Sequence, residues 1–252
     1  MESPHGAAVA AEDFGLEGPR GRVFRNVTFS AEPGALVAIE GPSGSGRTCL
    51  LLALTGRMRP TAGHAETGGL RLPEQAAAVR RIAALGPVPG VSELDPAFTV
   101  AEHLGERALL QGRYGTSLRT LLRPRAERRA AARARVDEAL DAAGLDLATL
   151  PKAGRTSVRD LERLEALRLS MALALIGEPR LLAVDDTDLK LPDAERDRAW
   201  ELLRAVADAG TTVLAVCSEA PANTQVVRTA PVTDEPTTDE ETADAFAEAG
   251  RA

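Results

Sequence analysis

The stretch Gly41-Pro42-Ser43-Gly44-Ser45-Gly46-Arg47-Thr48 packs three glycines, three small hydroxyl residues and one cation into eight positions. That is the make-up of a phosphate cradle. Glycines let consecutive backbone N–H groups converge on phosphate oxygens, and a helix N-terminus behind them adds a favourable dipole. The stretch fits G-x-x-x-x-G-K-S/T at every fixed position except the lysine, which is Arg47. Gly41, Ser43, Gly44, Ser45, Gly46, Arg47 and Thr48 are therefore candidate phosphate-binding residues, and the Thr48 hydroxyl is a candidate ligand for Mg2+. A guanidinium keeps the lysine's charge but is wider and planar, so binding should survive it better than catalysis. A second pair, Asp185-Asp186, closes the apolar run 181–184. Asp185 is placed to hold a magnesium shell, and Asp186 to act as a base on water. The competing readings are a glycine turn that only starts a buried helix, and a solvated turn at a strand end.

Such a site needs a strand, a loop and a helix in that order. Residues 23–29 alternate as a strand, Glu32-Pro33-Gly34 reads as a turn, and the apolar run 35–40 reads as a second strand, a hairpin that delivers the chain to the loop. The run 48–55 reads as an apolar helix ending at Gly56. Residues 99–170 are helical by composition, with Pro124 at a first helical position and Gly144 as a stop. Strands at 181–184 and 212–217 flank a helix over 192–209 whose Trp200, Leu203 and Val206 share a face. Alternating strands and helices with continuous apolar strands predict an α/β fold: a mainly parallel sheet covered on both faces.

The chain has 252 residues, 44% hydrophobic and 27% charged, which is ordinary for a globular protein. No apolar run reaches the roughly 18 residues of a membrane span. There is no basic-then-apolar leader, and Cys49 and Cys217 sit in apolar surroundings, so a reduced cytoplasmic setting is expected. The net charge is −7, which argues against a nucleic-acid partner. Seven acids over 231–252 (Asp234, Glu235, Asp239, Glu240, Glu241, Asp244, Glu248) stand against Arg251, so this tail carries most of the imbalance. The expected layout is a flexible N-terminus at 1–13, an ordered body over 14–220 and an acidic disordered tail at 221–252.

Over residues 14–220 the chain resembles an ATP-binding-cassette (ABC) transporter ATPase. Residues 23–34 look like the antiparallel strands before the family's Walker A loop. Thr99-Val100-Ala101-Glu102-His103-Leu104 resembles the segment after its Q-loop, and Gly177-Glu178-Pro179-Arg180-Leu181-Leu182 leads into a Walker B strand. The resemblance implies a P-loop NTPase fold with N-terminal antiparallel strands and an inserted helical subdomain over about 99–170. It implies Mg-ATP as ligand, a membrane permease as partner, a homo- or heterodimer of ATP-binding subunits, and a peripheral place at the inner face of the membrane. It also implies Phe14 as the aromatic that stacks on adenine, Asp186 as catalytic base and Arg47 as phosphate clamp.

Several family elements are altered. The L-S-G-G-Q signature falls on Leu161-Glu162-Arg163-Leu164-Glu165, no glutamine occurs between Ile82 and Thr99, the catalytic glutamate is Asp186, and the switch histidine is Ser218. Two function classes stay open: an ATP-binding transporter subunit with weak hydrolysis, and a non-catalytic pseudo-ATPase that regulates or scaffolds a permease. A guanylate-type kinase shares Gly-Pro-Ser-Gly-Ser-Gly, but such kinases begin almost at the loop.

Overall fold

The computed structural model describes residues 5–19, 21–114, 124–187 and 191–230. Its elements in chain order are β1 (Val9–Gly18), β2 (Gly21–Ala31), β3 (Leu36–Glu40), α1 (Arg47–Leu54), β4 (Ala62–Thr67), β5 (Leu70–Leu72), α2 (Ala76–Ile82), β6 (Ala83–Leu85), α3 (Val100–Tyr114), α4 (Arg125–Ala142), α5 (Arg163–Leu175), β7 (Leu181–Val184), α6 (Asp193–Asp208), β8 (Thr212–Cys217) and β9 (Gln225–Arg228). Two sheets form. One is parallel throughout, in the order β6-β7-β8-β3-β9, and the other is antiparallel, in the order β2-β1-β4-β5.

The apolar runs behave as a doubly covered parallel sheet requires. Val213, Ala215 and Cys217 of β8 face one core with Ala38, Leu182 and Val184, against α5 and α6. Leu214 and Val216 face the other core with Val37, Ile39, Leu181 and Ala183, against α1 and β1. Side chains alternate across a strand, so one unbroken run fills both layers, and each fully buried Leu, Ile or Val contributes about 1.5–3 kcal/mol. Trp200, Leu203 and Val206 of α6 are all buried, as their spacing predicts.

Three expectations need correction. Residues 23–29 and 35–40 are strands, but they do not pair as a hairpin: β2 lies beside β1, while β3 enters the parallel sheet between β8 and β9. The N-terminal stretch is structured from residue 5 onward, and β1 starts at Val9 instead of after residue 13. Arg180 fixes it, with Nε donating to the His5 carbonyl and Nη2 to the Gly6 carbonyl, both at 3.1 Å. Ala7, Val9 and Ala11 are buried there, and their small size is what hid the strand. At the other end, β9 lies inside the expected acidic tail and pairs with β3. The tail acids at 234–248 fall outside the described residues, so a deletion that tests the tail has to begin at 231.

Helix starts in the middle region follow capping chemistry. Thr99 and Glu102 cap α3 reciprocally: the Thr99 N–H donates to Glu102 Oε2 at 2.7 Å and the Glu102 N–H to Thr99 Oγ1 at 3.3 Å. The bonds from Thr99 hold the Glu102 carboxyl below its usual value. Pro124 stands one position earlier than expected, as the cap of α4, and Gly144 takes φ +62° beyond its end. At α5, Glu162 is the cap and Glu165 accepts its N–H at 2.8 Å, a closed capping box. Glu165→Ala should therefore lower the urea-unfolding free energy by about 1 kcal/mol. An unchanged midpoint would remove the box from the account of this helix.

Candidate functional site

The loop between β3 and α1 is shaped by its glycines. Gly46 caps α1 at φ +81°, and a Cβ there would meet the Val23 carbonyl oxygen at 2.4 Å. Gly44 has the same φ but faces open space, with no atom within 4 Å of a built Cβ. A Cβ on Gly41 would meet Thr229 Oγ1 at 2.5 Å. The loop is thus pressed against β2 on one side and the segment after β9 on the other, while Gly44 stays clear for a ligand. A cavity of about 450 Å³ opens there, lined by Glu40, Gly41, Pro42, Ser43, Arg47 and Ser218.

The hydroxyl of Ser45 does not face that cavity. It is fully buried and shares a 2.6 Å hydrogen bond with Thr229 Oγ1, so the Ser45 side chain buttresses the loop. Thr229 itself was not foreseen, because it sits in a polar stretch with no periodic signal. The Glu40 carboxylate, beside the cavity, is engaged: Oε1 accepts from Arg228 Nε at 3.2 Å and Oε2 from the Ala220 N–H at 3.0 Å.

Arg47 reaches across the sheet. Glu40 and Cys217 are register partners in the parallel pair β3–β8, which places the end of β8 beside the loop. There Arg47 Nη1 donates to the Cys217 carbonyl. The long planar group finds an acceptor on the neighbouring strand end, next to Ser218, instead of folding back over the loop.

Thr48 and Asp185 are brought into direct contact, with Thr48 Oγ1 donating to Asp185 Oδ2 at 2.6 Å. Asp185 is only 3% exposed; its Oδ1 accepts the Asp186 N–H at 2.9 Å, and its own N–H donates to the Pro87 carbonyl at 2.9 Å. One carboxylate and one hydroxyl, both hard oxygens, suit Mg2+, which takes few protein ligands and fills its octahedron with phosphate oxygens and water. Among the described residues no group of three His, Cys, Asp or Glu side chains is placed to hold a metal by itself. Burial and then the Asp185 charge push the adjacent Cys49 thiol up, which keeps it an unreactive thiol.

Asp186 follows in a left-handed conformation, φ +53°, and lines a different cavity of about 360 Å³ with Asp185, Arg163, Ser170 and Leu191. Asp185 thus connects the loop side to the side where Asp186 stands, while Arg47 and Asp186 border separate cavities. Phe14 is elsewhere. It is fully buried with its ring centroid 5.8 Å from that of Phe24, so the adenine-stacking role is corrected to core packing. Its register opposite Val27, on the core face of β1, was hidden by the irregular strand around it.

The ABC transporter family model matches residues 24–188, more than half of the chain. The chain belongs to the ABC transporter family. Among relatives of this ABC chain, the Nod factor export ATP-binding protein I of Burkholderia lata is 33% identical over 193 residues, covering 76% of this chain and 56% of the relative. Its counterpart from Mesorhizobium japonicum is 31% identical over 215 residues, covering 84% and 57%. The chain therefore spans little more than half the length of the curated relatives it matches. Solved structures show the same ABC ATPase fold. A dimeric bacterial ABC transporter cassette superposes with a TM-score of 0.67 at 20% identity, covering 88% of this chain and 94% of the other. A dimeric cassette in a post-hydrolysis state, bound to ADP and inorganic phosphate, gives a TM-score of 0.63 at 22% identity, covering 84% and 88%. Among the described residues no helix is long and apolar enough to cross a membrane.

Proposed function

We propose that this chain is the ATP-binding subunit of an ABC exporter, a nucleotide-binding body with a helical subdomain over about 99–170. It would work at the inner face of the membrane as one member of a dimer of such subunits beside a permease. The observation that carries this reading is the 2.6 Å contact between Thr48 and Asp185 behind an open glycine loop at the start of α1. The loop N–H groups at 43–48 and the N-terminus of α1 would hold the ATP phosphates, and Thr48 and Asp185 would hold Mg2+. The ion would neutralise phosphate charge as it develops. Asp186 is the candidate base for water.

Two observations support weak hydrolysis or none, the alternative in which the chain regulates or scaffolds a permease. Arg47 is bound to the Cys217 carbonyl, and the signature position 161–165 is a self-satisfied helix start whose Glu165 already holds the Glu162 N–H. If turnover exists, Asp186→Asn abolishes it; equal turnover in the variant removes Asp186 from the chemistry.

Calorimetric titration with Mg-ATP tests the binding reading. Gly46→Asp is a poor control, because its Cβ would strike backbone. Gly44→Asp is the better one, since Asp tolerates a left-handed φ and the position is open. Saturable binding in the wild type that Gly44→Asp abolishes is the expected result, and no binding at millimolar Mg-ATP overturns the reading. Arg47→Lys restores a compact ammonium and releases the Cys217 carbonyl, so it should tighten Mg-ATP by about 10-fold, the worth of one well-placed charged hydrogen bond. Weaker binding in Arg47→Lys would show that the guanidinium itself serves the phosphates.

A further inference from the structure

Helix α4 changes character along its length. At about 100° per residue, Val136, Ala139 and Leu140 share the stripe by which its second half joins the core beside α3 and α5. The first half carries arginine on that same side. Arg125, Arg128, Arg129, Arg133 and Arg135 spread over about 160° of the circumference, centred on the line of the apolar stripe. Every other residue from 125 to 135 is alanine except Glu127, which falls on the opposite side. A stripe that begins in charge cannot go on burying side chains, so this half of α4 stands clear of the core: Arg125, Arg129 and Arg133 are exposed, and Arg128 and Arg135 are half-buried.

Arginines elsewhere reach a carboxylate, as Arg71 does on Glu66 and Arg228 on Glu40, or a carbonyl, as Arg180 does on His5. Among the described residues, the five guanidiniums of α4 make no ion pair and no hydrogen bond. The Nε atoms of Arg128 and Arg135 are shielded from solvent and still lack an acceptor. Such donors cost free energy that an anionic group would return. The face holds no Trp, Phe or Leu that could enter an acyl layer, so it fits an anionic chain better than a bilayer. One segment of the protein has the complementary charge. Residues 231–252 hold seven acids against Arg251, and residues 124–135 hold five arginines against Glu127. The 22 residues from 231 onward reach at most about 75 Å, and a body of about 225 residues is about 45 Å across, so α4 is within reach of the end of the described chain. Tethering also keeps those acids at an effective concentration of about 1 mM.

We propose that residues 231–252 dock by charge on the arginine face of α4 within the same chain, which keeps that face from other anionic partners until the segment is displaced. The contact stands whether or not the glycine loop binds ATP. Its test is the amide proton–nitrogen NMR spectrum of the full chain at low salt, beside the triple variant Arg125→Gln, Arg129→Gln, Arg133→Gln. These three positions are exposed and glutamine is a good helix former, so the fold should hold, which the urea midpoint reports. The amide signals assigned to 231–252 should be shifted in the wild type relative to the variant, and the shift should be lost in about 0.5 M NaCl, where the screening length is about 4 Å. A control with the same change of charge, Arg59→Gln, Arg155→Gln, Arg198→Gln, alters exposed arginines scattered over other elements and should leave the shift in place. Identical tail signals in the wild type and the α4 variant overturn the proposal, and vesicles of phosphatidylglycerol that bind the wild type but not that variant would then give the face to a membrane. Loss of the shift in the control overturns it as an effect of net charge alone. A shift that fades on dilution overturns it in favour of the tail of a second copy.

Discussion

Gly46→Ala should destabilise the chain by about 2–5 kcal/mol. An alanine at φ +81° bears the left-handed penalty of about 1–2 kcal/mol, and its Cβ would sit 2.4 Å from the Val23 carbonyl oxygen and 3.1 Å from the Phe24 Cβ. The atoms it meets belong to β2, which is paired along its length with β1, so they have no cheap route aside. Gly44→Ala has the same φ and an empty surrounding, so it should lose only the backbone part, about 1–2 kcal/mol. The pair separates packing from conformation within one loop. Urea unfolding of both variants reads the difference; equal midpoints would show that β2 does not press on the loop. Against a total stability of about 5–15 kcal/mol for a domain, the upper end of the Gly46 effect is enough to unfold a measurable fraction of the protein.

The second large effect concerns Asp185→Asn. The amide keeps the size of the carboxylate; its Oδ1 can still accept the Asp186 N–H while its Nδ2 donates to Thr48 Oγ1, so the fold should hold. What is lost is the charge of a buried carboxylate that touches the loop helix. If Thr48 and Asp185 hold Mg2+, the gain in ATP affinity on adding Mg2+ should fall by about 10- to 100-fold in the variant. Binding of ATP in EDTA should rise slightly or stay level, because a negative charge near the phosphates has been removed. Titrations with and without the ion read this directly. The same Mg2+ gain in both proteins would take Asp185 out of the metal site.

The parts of the fold that were legible in the sequence are those carried by long apolar runs or by glycine and proline punctuation. The strands ending at Glu40, Val184 and Cys217 were readable because each is buried on both faces, and α1 because Gly46 and Gly56 bracket it. Short strands escaped. β4 holds Ala, Gly, His, Glu and Thr, whose pattern carries little apolar signal, β5 is only the three residues Leu70-Arg71-Leu72, and β9 is four residues in polar surroundings. At the site, the Thr48–Asp185 contact followed from motif order alone. The Ser45–Thr229 and Arg47–Cys217 contacts did not, since both depend on which strands flank β3, a fact of topology that spacing along the chain does not contain.

The position of β3 also bears on how the molecule is made. Both of its neighbours, β8 and β9, come from the far end of the chain: Leu36 pairs with Val213 and Glu40 with Arg228. Pairings of such sequence separation form late, because the intervening chain must be closed into a loop before they are rewarded. During synthesis the glycine loop leaves the ribosome long before the strands that will flank it and before Thr229, which will brace it. A chain halted after α6 would own every residue of the phosphate motif and still lack the two strands that give it a shape. Completion of the cradle thus waits on the synthesis of β8, β9 and Thr229, well after the loop itself.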